Sequence, residues 1–254
     1  MKICVLASGS KGNCTYLETS TNKILIDIGI SSLAVEKKLL EIGVNPKEID
    51  SVFITHTHMD HISGLKIFCK KYNPKIYLSE KMNEEIKKTH ILKNYEYIKN
   101  DLVINDIDIT VIKTSHDTND SNGYIFDCNN KTIAYITDTG YINIKNHEKL
   151  KNKTLYVMES NHDIELLMNG NRPHYLKHRI LGDKGHLSNK DSAYYLSKFI
   201  GANTSCIVLA HLSEDNNSSD IARAVLEESL KKINKKVDKI VVADQNERTE
   251  LIEI

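Results

Sequence analysis

The segment His56-Thr57-His58-Met59-Asp60-His61 constrains this chain more than any other, because three imidazoles and a carboxylate crowd into six residues. It follows the run Ser51-Val52-Phe53-Ile54, which reads as a buried strand. Residues two apart in an extended chain face the same side, so His56 and His58 share one direction. A turn into a helix at Ile62 sets Asp60 and His61 at its mouth, aimed at the same space. Imidazole and carboxylate together suit divalent ions such as zinc and manganese. The bland alternative, a polar strand-to-helix turn that happens to be histidine-rich, needs four coordinating groups in six positions by chance.

The rest of the chain limits the setting. At 254 residues it is long enough for one sizeable domain, and no linker or low-complexity segment divides residues 1–254. Charged residues make up 27% and balance to a net charge of zero, so any nucleic-acid contact must come from a local patch. Five cysteines without a CxxC pair, three of them in apolar runs, fit buried thiols in a reducing cytosol. No apolar run approaches the roughly 18 residues that a membrane span needs. A cytoplasmic location is the expectation.

Strands are expected over 2–7, 14–19, 23–28, 51–55, 75–78, 102–104, 107–115, 122–128, 131–137, 154–159, 205–210, 237–243 and 248–254. Helices are expected from Ser31 or Ser32 to Gly43 and over 62–72, 80–90, 188–200 and 218–233. Strands flanked by helices in both halves predict an α+β chain, a four-layer αββα sandwich with the helices outside. Several strands end on a further candidate ligand: 109–115 on His116, 133–137 on Asp138, and 206–210 on His211. Strand ends along one edge of a sandwich are where distant segments converge. Taken singly, each is an ordinary polar residue at a turn.

Together these residues resemble the signature of the metallo-β-lactamase-fold hydrolases. The resemblance implies two divalent metal ions, zinc or manganese, between two sheets. His56, His58 and His116 match one site, Asp60, His61 and His211 match the other, and Asp138 matches the bridging carboxylate. The lactamase members use a cysteine as ligand in that region, and none of the five cysteines occupies such a position. A bridging aspartate resembles the phosphodiesterase, nuclease and thioesterase branches instead. A hydroxide held between two cations is a strong nucleophile, since the metals lower the pKa of water toward roughly 7.

A leaving oxygen also needs an acid. His186, in Gly185-His186-Leu187-Ser188, is similar to the histidine of the Gly-His-Ser-Thr loop in the tRNA 3′-processing branch. Ser188 with Asp191 also has the form of a helix capping box, and a cap would fix the loop that presents His186. Glu159 is a candidate to orient a ligand histidine, and His162 to contact phosphate or support His186. Between them Arg172, Lys177, Arg179 and Lys184 form the densest positive stretch near the site, as a groove for a phosphate backbone needs. The early turn Ser8–Asn13, with Ser10 and Lys11, offers exposed amides to a phosphate, although a hairpin turn explains it equally well.

Ser8-Gly9-Ser10-x-Gly12-Asn13, Glu159-x-Asn161-His162 and His211-Leu212-Ser213-x-x-Asn216-Asn217 occur together in the WalJ/YycJ-type family, which the chain resembles over nearly its whole length. That resemblance implies a DNA exonuclease working 5′ to 3′, and Asp60, His186 and His162 are the candidate catalytic residues. Only 72 residues separate Asp138 from His211, too few for the inserted domain of β-CASP ribonucleases. The competing reading is a small-molecule hydrolase, either a cyclic-nucleotide phosphodiesterase or a glyoxalase-type thioesterase. A third is a metal-holding module without catalysis.

Overall fold

Alternating burial within each strand dictates the layers. In β1 (Lys2–Ala7), Ile3 and Val5 face one apolar cluster while Cys4 and Leu6 face another, and all four are buried. A strand buried on both faces must lie between two layers, which is why its sequence reads as a continuous apolar run. The computed structural model describes residues 1–254.

The first half supplies six strands of a seven-stranded sheet: β1, β2 (Cys14–Glu18), β3 (Lys23–Ile26), β4 (Ser51–Phe53), β5 (Lys75–Leu78) and β6 (Tyr95–Tyr97). The second sheet holds β7 (Leu102–Ile104), β8 (Ile107–Lys113), β9 (Asn122–Cys128), β10 (Lys131–Ile136), β11 (Leu155–Glu159), β12 (Cys206–Ala210) and β13 (Lys239–Val242). The short β14 (Ile252–Glu253) returns to pair antiparallel with β1. Each sheet runs antiparallel at first and then parallel, from β3 onward in one and from β10 onward in the other.

Parallel neighbours need crossovers, and helices supply most of them. On the first sheet α1 (Ser32–Glu41), α2 (Met59–Ile62), α3 (Leu65–Tyr72) and α4 (Glu80–Ile86) connect the strands. On the second, α5 (His147–Leu150), α6 (Ile164–Asn169), α7 (His174–Leu181), α8 (Asn189–Phe199) and α9 (Ser219–Lys232) do so. Three apolar cores result. Phe53, Tyr124, Phe126 and Val208 meet between the sheets. Val35, Leu39, Phe68 and Met82 seal the first helix layer, and Leu196, Phe199, Leu226 and Leu230 the second. Each such side chain contributes about 1.5–3 kcal/mol on burial. The architecture is the expected αββα sandwich. No helix is long and apolar enough to cross a membrane.

Ser31 caps α1, its Oγ accepting from the Ala34 amide at 3.2 Å, and Ser188 caps α8 in the same way through the Asp191 amide at 3.1 Å. The helix expected over 62–72 is broken into α2 and α3. At Gly64 a β-carbon would lie 2.1 Å from the Ile30 carbonyl oxygen, so the chain turns there against the β3–α1 connection. The strand β6 and the helices α5, α6 and α7 lie outside the expected elements, and the final strand is shorter than the predicted 248–254.

Candidate metal centre and its cleft

The strands β3, β4, β8, β10, β11 and β12 all end at one edge of the sandwich, and each is followed by a polar side chain of the centre or carries one as its last residue. His56 and His58 sit in the turn between β4 and α2, with ring centroids 4.7 Å apart, and Asp60 and His61 lie in α2 itself. His116, Asp138 and His211 follow β8, β10 and β12. All seven predicted ligands therefore converge. His56, His58 and His116 form one group and Asp60, His61 and His211 another, the candidate ligand atoms within each lying inside 4.8 Å of one another. Asp138 lies between them. Its Oδ2 is 3.2 Å from His61 Nε2, and its Oδ1 is 3.7 Å from His116 Nε2 and 3.5 Å from His211 Nε2.

Hydrogen bonds behind the rings fix which nitrogen faces inward. His61 Nδ1 donates to Asp27 Oδ2 at 2.7 Å, His211 Nδ1 to Glu159 Oε1 at 3.0 Å, and His116 Nδ1 to the Gly185 carbonyl at 3.1 Å. Each bond leaves Nε2 turned toward the centre, the usual arrangement behind a metal-binding imidazole. Asp27 is fully buried and also accepts from the Thr55 amide and hydroxyl at 2.8 and 2.7 Å. Sequence reasoning missed it. The signal was present, since Asp27 closes the apolar run Ile24-Leu25-Ile26 as Asp138 closes its own strand.

Glu159 is fully buried and committed on both oxygens. Besides His211, it takes His186 Nδ1 at 2.7 Å, the Thr139 amide at 3.0 Å and the Leu187 amide at 3.1 Å. A carboxylate with four donors is a holder of ligands rather than a ligand. Burial works against its charge, but His186 and His211 outweigh that and hold its pKa at about 2.

The other charges follow the same competition. Burial opposes ionisation of Asp138 and Asp60, yet His211 and His61 hold both carboxyls well below the usual range. Burial also opposes the His211 imidazolium, but Asp138, Asp60 and Glu159 raise its pKa to about 10. His56 is the reverse, kept neutral by burial first and by the His61 charge second.

The cluster is incomplete as protein alone. His56 Nε2, His211 Nε2 and Asp138 Oδ2 are buried without a hydrogen-bond partner. Each buried orphan costs about 1–3 kcal/mol, a cost that a bound cation removes. Three imidazoles on one side, two imidazoles and a carboxylate on the other, and a carboxylate between them fit divalent ions of the zinc or manganese type.

A cleft of about 230 Å³ opens over this cluster, lined by Ser10, Asp60, Arg172, Arg179, Lys184 and His186 among others. Arg179 Nε is held 2.5 Å from Asp117 Oδ2, and Arg172 Nη2 lies 2.8 Å from Asp215 Oδ2. Three expected site residues lie elsewhere. Lys177 is buried, and its ammonium donates to the Met168 carbonyl at the end of α6 at 2.6 Å, because the basic run forms a helix whose faces point different ways. Lys11 is exposed and paired with Glu214 at 2.5 Å. His162 is 1% exposed, does not line the cleft, and has no partner on either ring nitrogen. Around Ser10 the early turn has a supporting role: the Ser8 hydroxyl accepts from the His211 amide at 2.7 Å, and the Asn13 amide donates to the Asp60 carbonyl at 2.7 Å.

Residues 7–150 match the metallo-beta-lactamase superfamily. The chain is 36% identical over 232 residues to the exodeoxyribonuclease WalJ of Streptococcus pneumoniae, covering 89% of this chain and 86% of that protein. It is 37% identical over 226 residues to the exodeoxyribonuclease YycJ of Bacillus anthracis, covering 86% and 85%. Among solved structures, the metallo-beta-lactamase fold protein YhfI of Bacillus subtilis superposes with a TM-score of 0.73 at 17% identity over 98% of each chain, a likeness of fold. The chain belongs to the metallo-beta-lactamase superfamily, within its WalJ/YycJ-type family.

Proposed function

We propose that this protein is a metal-dependent DNA exonuclease that uses two divalent ions, zinc or manganese, and works inward from 5′ ends. The observation that carries the reading is Asp138 set between two histidine groups, under a cleft with arginines on its wall and His186 held by Glu159. The family and its exodeoxyribonuclease relatives support it.

His56, His58 and His116 would hold one ion, Asp60, His61 and His211 the other, and Asp138 both. Bound there, divalent ions supply a nucleophile from water at neutral pH and neutralise charge on a phosphoryl group. The chain's own groups do the rest. Arg172, Arg179 and Lys184 take the phosphate backbone into the cleft. Asp60 opens onto the cleft and orients the attacking water. His186, with Nδ1 bound to Glu159, has Nε2 free to carry a proton. As the phosphorus–oxygen bond breaks, that proton passes to the leaving 3′ oxygen, while the bond to Glu159 holds the ring in place.

The test is digestion of end-labelled, 5′-phosphorylated single-stranded DNA with manganese or zinc, beside Asp60→Ala. Mononucleotides released progressively from the 5′ end, and lost in the variant, are expected. Intact DNA alongside hydrolysis of small phosphodiesters or thioesters would replace the substrate and keep the site.

A further inference from the structure

A second cleft is larger than the one over the candidate metal centre. A space of about 810 Å³ lies between the end of α3 and the segment leading into β6. It sits at the start of β5, where Lys75 pairs with Ser51 and Ile76 with Tyr95. The metal cluster lies past the other ends of these parallel strands, so the two clefts occupy opposite edges of the first sheet.

Its chemistry is one-sided. Lys66, Lys70 and Lys93 line it together with His90, and no carboxylate does. All three lysines are exposed and none makes an ion pair, whereas their neighbours Lys71 and Lys75 are bound to Glu36 and Glu96. Residues 64–94 carry eight lysines against three glutamates in a chain whose net charge is zero. Lys66 and Lys70 stand one helical turn apart on α3, about 6 Å along a line. His90 Nε2 is buried without a partner. Tyr95 and Tyr97, next along the chain, lie on the edge strand with ring centroids 5.3 Å apart, and Tyr95 is 36% exposed.

Unpaired ammonium groups spaced along a groove, with a half-exposed tyrosine on the adjoining edge strand, suit a single nucleic-acid strand: lysine binds phosphate as a point charge without base preference, and aromatic rings stack any base. We infer that this cleft is a second nucleic-acid site, an exosite that holds the phosphate backbone of the DNA strand at a distance from the cleavage cleft. The inference rests on the nuclease reading for its purpose, but not for its test. The exosite makes long strands bind more tightly than short ones, and hydrolysis of a strand too short to reach it is independent of it.

The experiment compares the full-length protein with Lys66→Gln/Lys70→Gln/Lys93→Gln and with the corresponding triple glutamate variant. Fluorescence anisotropy with labelled single strands of about 30 and about five nucleotides is read over a range of salt. Each phosphate contact contributes about 0.7 to the slope of log affinity against log salt for a single strand, so the glutamine variant should lose about two from that slope on the long strand. Long-strand affinity should fall about tenfold or more, and further in the glutamate variant. Short-strand binding should stay as in the unaltered protein, and an unchanged thermal unfolding curve shows that the fold survives. Equal long-strand affinity and salt slope in all three proteins would overturn the exosite, whatever their nuclease activity. So would competition by a free nucleotide that binds here while DNA does not. An unaltered protein that binds the long strand through these lysines but never shortens it would instead remove the nuclease reading and leave the exosite standing.

Discussion

Asp27, Asp138 and His211 adopt left-handed backbone conformations, with φ of 60°, 54° and 58°, and the six other non-glycine residues that do so are all asparagines, five in turns and Asn73 at the end of α3. Such conformations cost of order 1–3 kcal/mol unless the surroundings hold them, and here the strand ends and buried carboxylates do. Two substitutions separate the roles of the buried carboxylates. Asp27 touches only the far nitrogen of His61 and the Thr55 support, so Asp27→Asn should weaken metal binding about 10–100-fold and leave kcat near normal once metal saturates. Glu159 also holds His186, so Glu159→Gln should lower kcat by about 100-fold or more even at saturating metal. Metal titrations of activity read both, and identical responses would mean that Glu159 acts only through His211. His162 gives a pH test. Burial holds its pKa at about 4, so between pH 6.5 and 4 the unfolded chain takes up a proton that the folded one refuses. Stability is therefore lost as pH falls through that window. Urea unfolding should show His162→Leu gaining roughly 2–3 kcal/mol on the unaltered protein between pH 7 and 4.5. A gap independent of pH would show that the fold does not hinder protonation of His162.

At the scale of elements, the residues that were legible are those whose role is local. Ligands that close apolar strands, and serines that cap helices, announce themselves within a few positions. The α6–α7 region did not, because a helix over residues 174–181 has charged and apolar residues on every side and no clean periodicity. The basic stretch was legible as charge and not as direction. Once it is a helix, Arg179 faces the cleft and Lys177 faces the end of α6. Arg179→Ala should therefore raise KM for DNA several-fold, with a shallower salt dependence and little change in melting temperature. Lys177→Ala should do the opposite. It removes a buried ammonium bonded to the Met168 carbonyl, costing about 1–2 kcal/mol and a few degrees of melting temperature, with KM unchanged. If Lys177→Ala weakened DNA binding at full stability, the assignment of the helix faces would be wrong.

For the molecule as a whole, the sequence announced the sandwich but not its internal resemblance: each half folds as antiparallel strands followed by parallel ones, while the two halves share no visible repeat. Backbone pairing carries that likeness and side chains do not. The consequence is a divided centre, with His56, His58, Asp60 and His61 delivered by the first sheet and His116, Asp138 and His211 by the second. Bound cations would tie the two sheets together at this edge, adding to an interior in which Phe53 already packs edge-on against Tyr124 and Phe126. Because that interior is independent of metal, and Asp138 still reaches His61 across the gap at 3.2 Å, removing metal should loosen the edge without unfolding the chain. A metal at 100 times its Kd adds about 2.7 kcal/mol, or about 5–10 °C of melting temperature in a protein of this size. Thermal scans with chelator and with added manganese or zinc should differ by that amount. Far-ultraviolet circular dichroism at room temperature should be the same in both. Loss of secondary structure on chelation would mean that the sheets depend on the metal to meet, and an unchanged melting temperature would mean that the cluster does not bind these ions.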